Sequence, residues 1–231
     1  MNDTSGGRRE RRKAQTRADV RETAHRLFAE RGFDAVTIAD VAAAADVAVQ
    51  TVFNHFETKE QLFFDGRTPW VEGVPAAISQ RAPGSDPVAA LRAYIEADLT
   101  ELLDQESRPE NRSFLEALRR SPSLQARERT LLEQAGERVA AELCLAIIAG
   151  DWAAAPTADS ATAHVLSRLV AELFLAAGRV LVLENRRQLL DPEVAELRRL
   201  AVPAATTLGE LERCVAGLAR LLLDPPPGRP A

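Results

Sequence analysis

Residues 37–56, TIADVAAAADVAVQTVFNHF, decide how the chain is read. Thr37 with Asp40 three positions on forms a T-x-x-D capping box, the mark of a helix start, and Ile38, Val41 and Ala42 then share one face. The small residues Ala42 to Ala45 permit a close approach by a neighbouring helix. Asp46-Val47-Ala48 makes a short turn, since Asp tolerates the left-handed backbone region better than most residues. A third helix follows, from about Val49 to Phe53 or His55. Two short helices joined by about four residues let the second cross the first and project its N-terminal turn. Such a projecting helix fits the major groove of DNA. Val41, Val47 and Val52 would form the small core between the two.

The flanks carry the same helical grammar. Upstream, Thr16 caps a helix predicted to run to Arg31, with Val20, Ala24, Leu27 and Phe28 at i, i+4, i+7 and i+8. Gly32 supplies the left-handed stop and Phe33 the accompanying apolar contact. Downstream, Thr58 and Gln61 cap a fourth helix that buries Leu62, Phe63 and Trp70. After the break APGSDP, helices are predicted near 87–105, 110–119, 122–149, 159–186, 192–200 and 205–223. No strand-like alternation persists, so the fold class is all-α. Residues 1–13 are expected to be a disordered basic arm and 224–231 (DPPPGRPA) a disordered tail. Between them lie a helix-turn-helix domain over 14–74 and a second helical domain over 75–223.

Composition supports this division. The chain has 231 residues, 46% apolar and 27% charged, with only 5% aromatics. That length suits a small domain plus a larger one. Two cysteines, Cys144 and Cys214, have no His or Cys at ligand spacing, so no metal site is expected, and both read as buried reduced thiols. The start, MNDTSGGRRERRK, lacks the apolar core of a signal peptide, and no run approaches the ~18–20 apolar residues of a membrane span. A cytoplasmic protein is expected. Net charge is -5, yet residues 1–67 hold 11 basic and 11 acidic groups, so all of the excess lies beyond them. The basic groups gather further, at Arg8, Arg9, Arg11, Arg12, Lys13 and Arg17. A basic arm on an acidic body is compatible with binding nucleic acid through one end, although a solvated charged tail reads the same way.

Over residues 14–74 the chain resembles the TetR family of transcriptional regulators. The resemblance is carried by Leu27-Phe28-x-x-x-Gly32-Phe33 and Thr37-Ile38-x-x-Val41-Ala42-x-x-Ala45-x-Val47. It continues through Thr51-Val52-Phe53-x-His55-Phe56-x-x-Lys59-x-x-Leu62. Three positions depart from the family pattern: Asp46 replaces a turn Gly, Ala48 a Ser at the helix cap, and Phe53 a Tyr. The resemblance implies a dimeric, one-component repressor without a cofactor, released from a palindromic operator by a small molecule. The expected DNA-binding residues are Arg17, Thr37, Val49, Gln50, Thr51, Phe53, Asn54, His55 and Lys59. Gln50 and Asn54 each carry the donor and acceptor that an adenine edge requires. Thr51 and His55 are assigned to phosphate or sugar, Lys59 to a phosphate clamp, and Arg17 with the arm to phosphates or the minor groove.

The second domain offers two apolar seams, Leu166, Leu169, Leu173, Ala176, Val180, Leu183 and Leu208, Leu211, Val215, Leu218, Leu222. They pack either against their own copies as a four-helix bundle, as in the resembled family, or within one chain. The family binds effectors among its middle helices. Here that region supplies Trp70, Tyr94, Leu99, Leu103, Phe114, Leu118, Trp152, His164 and Phe174, each of which also reads as core. The apolar lining favours a hydrophobic or amphipathic effector. Residues 113–138 faintly resemble relatives thought to sense lipid-like or acyl-CoA compounds. Two rivals stand beside this reading. An all-α enzyme would need a catalytic constellation that His25, His55 and His164, the three histidines, do not supply. A helical adaptor with a degenerate helix-turn-helix would fit Ala48 and Phe53.

Overall fold

The computed structural model describes residues 4–67, 69–191 and 204–223. Among them the secondary structure is entirely helical: α1 (Thr4–Arg31), α2 (Ile38–Ala44), α3 (Val49–Phe53), α4 (Lys59–Phe64), α5 (Pro69–Ser79), α6 (Pro87–Glu106), a 3-10 turn at Pro109–Asn111, α7 (Arg112–Arg120), α8 (Pro122–Ile148), α9 (Ser160–Leu190) and α10 (Ala204–Leu223). The chain divides into two compact units, Met1–Thr68 with Pro109–Glu128, and Pro69–Arg108 with Arg129–Ala231. The break at 74/75 expected from sequence therefore moves to 68/69, and residues 109–128 join the first unit.

Two further expectations change. Helix α1 starts at Thr4, so residues 4–13 of the stretch read as a disordered arm are helical. From Arg8 on, its Arg, Glu, Lys and Ala are strong helix formers, and the side chains described there are exposed. The fourth helix does not run through Trp70: α4 ends at Phe64 and α5 begins at Pro69. Proline lacks the amide a continuing helix would use and is accepted in a first turn. The helix expected at 192–200 and the tail 224–231 lie outside the described residues.

In the first unit α1 buries the predicted stripe, Val20, Ala24, Leu27 and Phe28, all at 4% exposure or less. Its stop is at Gly32, φ 84°, whose N–H bonds to the Phe28 carbonyl at 3.0 Å. Phe28, Phe33, Phe63, Phe64 and Phe114 form one aromatic cluster, with Phe63 stacked on Phe114 at 4.7 Å and edge-on to Phe33 at 5.2 Å. The Arg67 guanidinium lies 4.4 Å over Phe114, and burial lowers its pKa to about 10. His25 bonds to the Leu62 carbonyl at 3.1 Å. Burial first, then the Arg67 charge, lowers its pKa to about 4, so it is held neutral.

In the second unit, α6 is capped by Asp86, which accepts from Val88 N–H at 2.8 Å, with Pro87 at the first helical position. Asp159 caps α9 by accepting from Thr162 N–H at 2.8 Å. The core joins Leu91, Ile95 and Leu99 of α6 to Val139 and Leu143 of α8, Val170 and Phe174 of α9, and Leu208 and Val215 of α10. Gly73 of α5 lies against Tyr94: a Cβ there would fall 1.7 Å from Tyr94 Oη and the ring would have to move. Long-range ion pairs tie the periphery: Arg186 to the buried Glu106 at 2.8 Å, Arg92 to Glu212 at 2.7 Å, and Arg81 to Asp151.

Candidate nucleic-acid interface

The turn between α2 and α3 is built as its sequence suggests. Thr37 Oγ1 accepts from Asp40 N–H at 3.2 Å, and the Asp40 carboxylate accepts from Thr37 N–H at 2.8 Å. The Thr37 hydroxyl also donates to this carboxylate, and that bond first, then the one from Thr37 N–H, holds the Asp40 carboxyl below its ordinary pKa. At the far end Ala45 N–H reaches Val41 O (2.9 Å) and Val47 N–H reaches Ala42 O (3.0 Å), with Asp46 at φ 53° between them. Asp46 is the one non-glycine residue with positive φ among the described residues, and it stands where the turn reverses direction. Ala48 starts α3 without a side-chain cap, as its missing hydroxyl dictates.

Helix α3 turns Val52 inward, fully buried, with Val41 and Phe56 equally buried nearby in the chain. Its outer face consists of Val49, Gln50, Phe53 and Asn54, all exposed. Gln50 Nε2 donates to Asn54 Oδ1 at 3.2 Å, so the two amides are linked and ordered with respect to each other. Thr51 and His55 are half-buried at the edges of this face, and Thr37 is engaged as the α2 cap. His55 titrates below the usual histidine range, through desolvation first and then the Arg17 and Lys13 charges.

Two residues expected on phosphate are committed inside the protein. Arg17 donates to the His55 carbonyl at 2.8 Å, pairs with Asp65, and lies 4.3 Å over the Phe56 ring. It locks α1 to the segment after α3. Lys59 Nζ donates to the carbonyls of Phe33 (2.9 Å) and Val36 (3.1 Å), above the Phe33 ring. Its ammonium thus satisfies loop carbonyls between α1 and α2, where sequence placed a phosphate clamp. Sequence reasoning missed Asp65, which also faces Arg21 at 3.8 Å. The signal was present: two arginines one helical turn apart need an acidic partner, and Asp65 directly follows α4. What remains free for an anion is the first half of α1, where Arg8, Arg9, Arg11, Arg12 and Lys13 are exposed around a single acidic residue, Glu10.

The expected effector residues are divided between the two units. Phe114 and Leu118 belong to the first unit. In the second, Leu99, Trp152 and Phe174 are close-packed core, His164 is exposed, and Tyr94 and Leu103 are half-buried. The side chain of Trp70 lies outside the described residues. A separate open groove runs over Leu132, Leu175, Ala176, Val180 and Leu183, flanked by Arg129 and Arg179. The seams also split. Leu166, Leu208 and Val215 are buried in their own unit, Leu169, Leu173 and Leu211 are half-buried, and Val180, Leu218 and Leu222 are 64%, 38% and 52% exposed. Cys214, expected to be buried, is exposed. The helix carries both an inward and an outward apolar row, and period alone does not separate them.

Comparison with known proteins places this geometry. Residues 20–65 match the model of the N-terminal domain of bacterial regulatory proteins of the tetR family. Over 100 residues the chain is 30% identical to the HTH-type transcriptional regulator TcmR of Streptomyces glaucescens. That match spans 43% of this chain and 44% of TcmR, less than half the length of either. Two solved structures are similar at lower identity. NalD, a repressor of a multidrug efflux pump in Pseudomonas aeruginosa, is 21% identical with a TM-score of 0.46, covering 87% of this chain and 95% of NalD. A TetR-family regulator of Streptomyces coelicolor A3 is 18% identical with a TM-score of 0.49, covering 89% and 95%. The sequence match falls on α1 to α4, with its capped turn and outward α3: over residues 20–65 the chain is similar to the N-terminal domain of the tetR family of bacterial regulatory proteins.

Proposed function

We propose that the chain is a ligand-responsive transcription repressor that binds a palindromic operator as a homodimer and acts by binding rather than turnover. The observation that carries this reading is the outer face of α3. Two linked amides and two apolar side chains stand in solvent on a short helix that the buried Val52 and the Arg17 lock support from behind. A helix presented in this way suits a groove about 12 Å wide, and amides suit the adenine edge within it. Phosphate attraction falls to the exposed cations of α1, which sit on a chain of net charge -5 and so give binding a direction.

The exposed leucines and valines of α9 and α10 support a twofold interface, since apolar rows of this length are seldom left in water. Two reading helices about 34–36 Å apart would reach successive major grooves on one side of a duplex. The second unit would hold a hydrophobic or amphipathic effector, for which the groove over Leu132, Leu175 and Val180 is one seat. Such an effector changes operator affinity only as far as it binds the DNA-competent arrangement differently from the incompetent one. Among the described residues no helix is long and apolar enough to cross a membrane, which fits a cytoplasmic regulator.

Selection of bound fragments from random duplex DNA tests the reading. The expected result is one palindromic sequence, with half-sites one helical turn apart and affinity that falls steeply with salt. Recovery of no enriched sequence, with binding equal for all duplexes, would remove it.

A further inference from the structure

The outer face of α3 is half apolar, and the amides do not account for that half. Val49 and Phe53 are 42% and 45% exposed, one turn apart, beside the Gln50–Asn54 pair. Neither side chain is needed for the core, which Val52 and Phe56 fill completely from the other side. Phe53 carries no hydroxyl with which to bond a phosphate. In the major groove the one apolar group on an unmodified base is the C5 methyl of thymine. We infer that Val49 and Phe53 read thymine methyls, so that each operator half-site presents at least one thymine to this pair next to an adenine read by Gln50 or Asn54. The inference rests on the proposed operator binding and specifies what its half-site contains.

The order of side chains sets the expected arrangement. Val49 and Gln50 open α3, and Phe53 ends it with Asn54 as the C-cap, so each apolar side chain has an amide as its immediate neighbour. An amide on adenine and a methyl contact on an adjoining thymine would then describe neighbouring base pairs, on the same or opposite strands. A run of guanine and cytosine in the half-site offers these two side chains no methyl and leaves their apolar surface against polar edges.

The test keeps the protein native and edits the DNA. In the selected operator each thymine is replaced in turn by deoxyuridine, which keeps base pairing and removes only the methyl. At one or more half-site positions the native chain is expected to lose about fourfold in affinity per methyl, the equivalent of ~0.8 kcal/mol. The Phe53→Ala and Val49→Ala variants, both folded by circular dichroism because the changes are exposed, should lose that sensitivity at the position each reads. An operator that is selected strongly yet is indifferent to deoxyuridine overturns the inference and leaves operator binding standing. So does an operator whose deoxyuridine effect is unchanged in both variants. Failure to select any operator removes the inference together with the reading beneath it.

Discussion

Both units leave apolar side chains in water, but in different company. On α3 the exposed pair Val49 and Phe53 is embedded among amides on a helix of five residues. On α9 and α10 the exposed set Val165, Val180, Leu183, Leu218, Leu221 and Leu222 extends along helices of 31 and 20 residues. The first face suits a partner with polar edges and an occasional methyl. The second suits a broad apolar partner such as another copy of the same helices. The units also differ in how ionisable groups sit inside them. The first holds a cation-forming group, His25, neutral against Arg67, and the second holds a carboxyl, Asp98, whose pKa burial and then Glu101 raise to about 6.

The largest effect is expected where the apolar face is broadest. Replacing Val180 and Leu222 with Glu should give a monomer in sedimentation and lower operator affinity by about 10²–10⁴-fold, the loss of one linked half-site. A dimer of unchanged mass would move the interface elsewhere. Next comes the aromatic cluster of the first unit. Phe63→Ala should cost ~3–5 kcal/mol of stability, whereas Phe53→Ala should stay within about 0.5 kcal/mol in denaturant titration. Similar losses for the two would erase the distinction between inner and outer faces of this unit.

Acid separates the units by sign. Folded His25 has a pKa of about 4 against 6.5 unperturbed, so between those values the unfolded state binds more protons and stability falls as pH is lowered. The loss at pH 4 is on the order of 3 kcal/mol, and His25→Gln should flatten this part of a melting curve against pH. Folded Asp98 has a pKa of about 6 against 3.8, so its contribution runs the other way, with stability gained as pH falls through that window. An Asp98→Asn variant that sharpened the acid gain would contradict this. The smallest change tests the uncapped start of α3. Ala48→Ser should raise stability by about 0.5–1 kcal/mol by restoring a cap to the helix N-terminus.

What sequence made legible was local. Thr37 with Asp40, Thr58 with Gln61 and the stop at Gly32 stand where their spacing placed them, because a cap is decided within one helical turn. The outward positions of Gln50 and Asn54 followed from the same short-range period. Long-range choices were not legible. Nothing local says that residues 109–128 join the first unit through Phe114 on Phe63, or that Arg17 prefers Asp65 to an anion in solution. Helix α5 was merged with the fourth helix through Trp70, although Pro69 marks a new helix start. Each apolar seam mixed two destinations, as Leu208 inside and Leu222 outside on one helix demonstrate.

The most direct measurement compares the native chain with the Gln50→Ala, Asn54→Ala double variant on the selected operator and on random duplex at one salt concentration. At about 1–3 kcal/mol for each amide, specific affinity is expected to fall roughly 30-fold or more, with random-duplex affinity and melting temperature unchanged. Specific affinity that survives the loss of both amides would contradict the assignment of α3 as the reading helix.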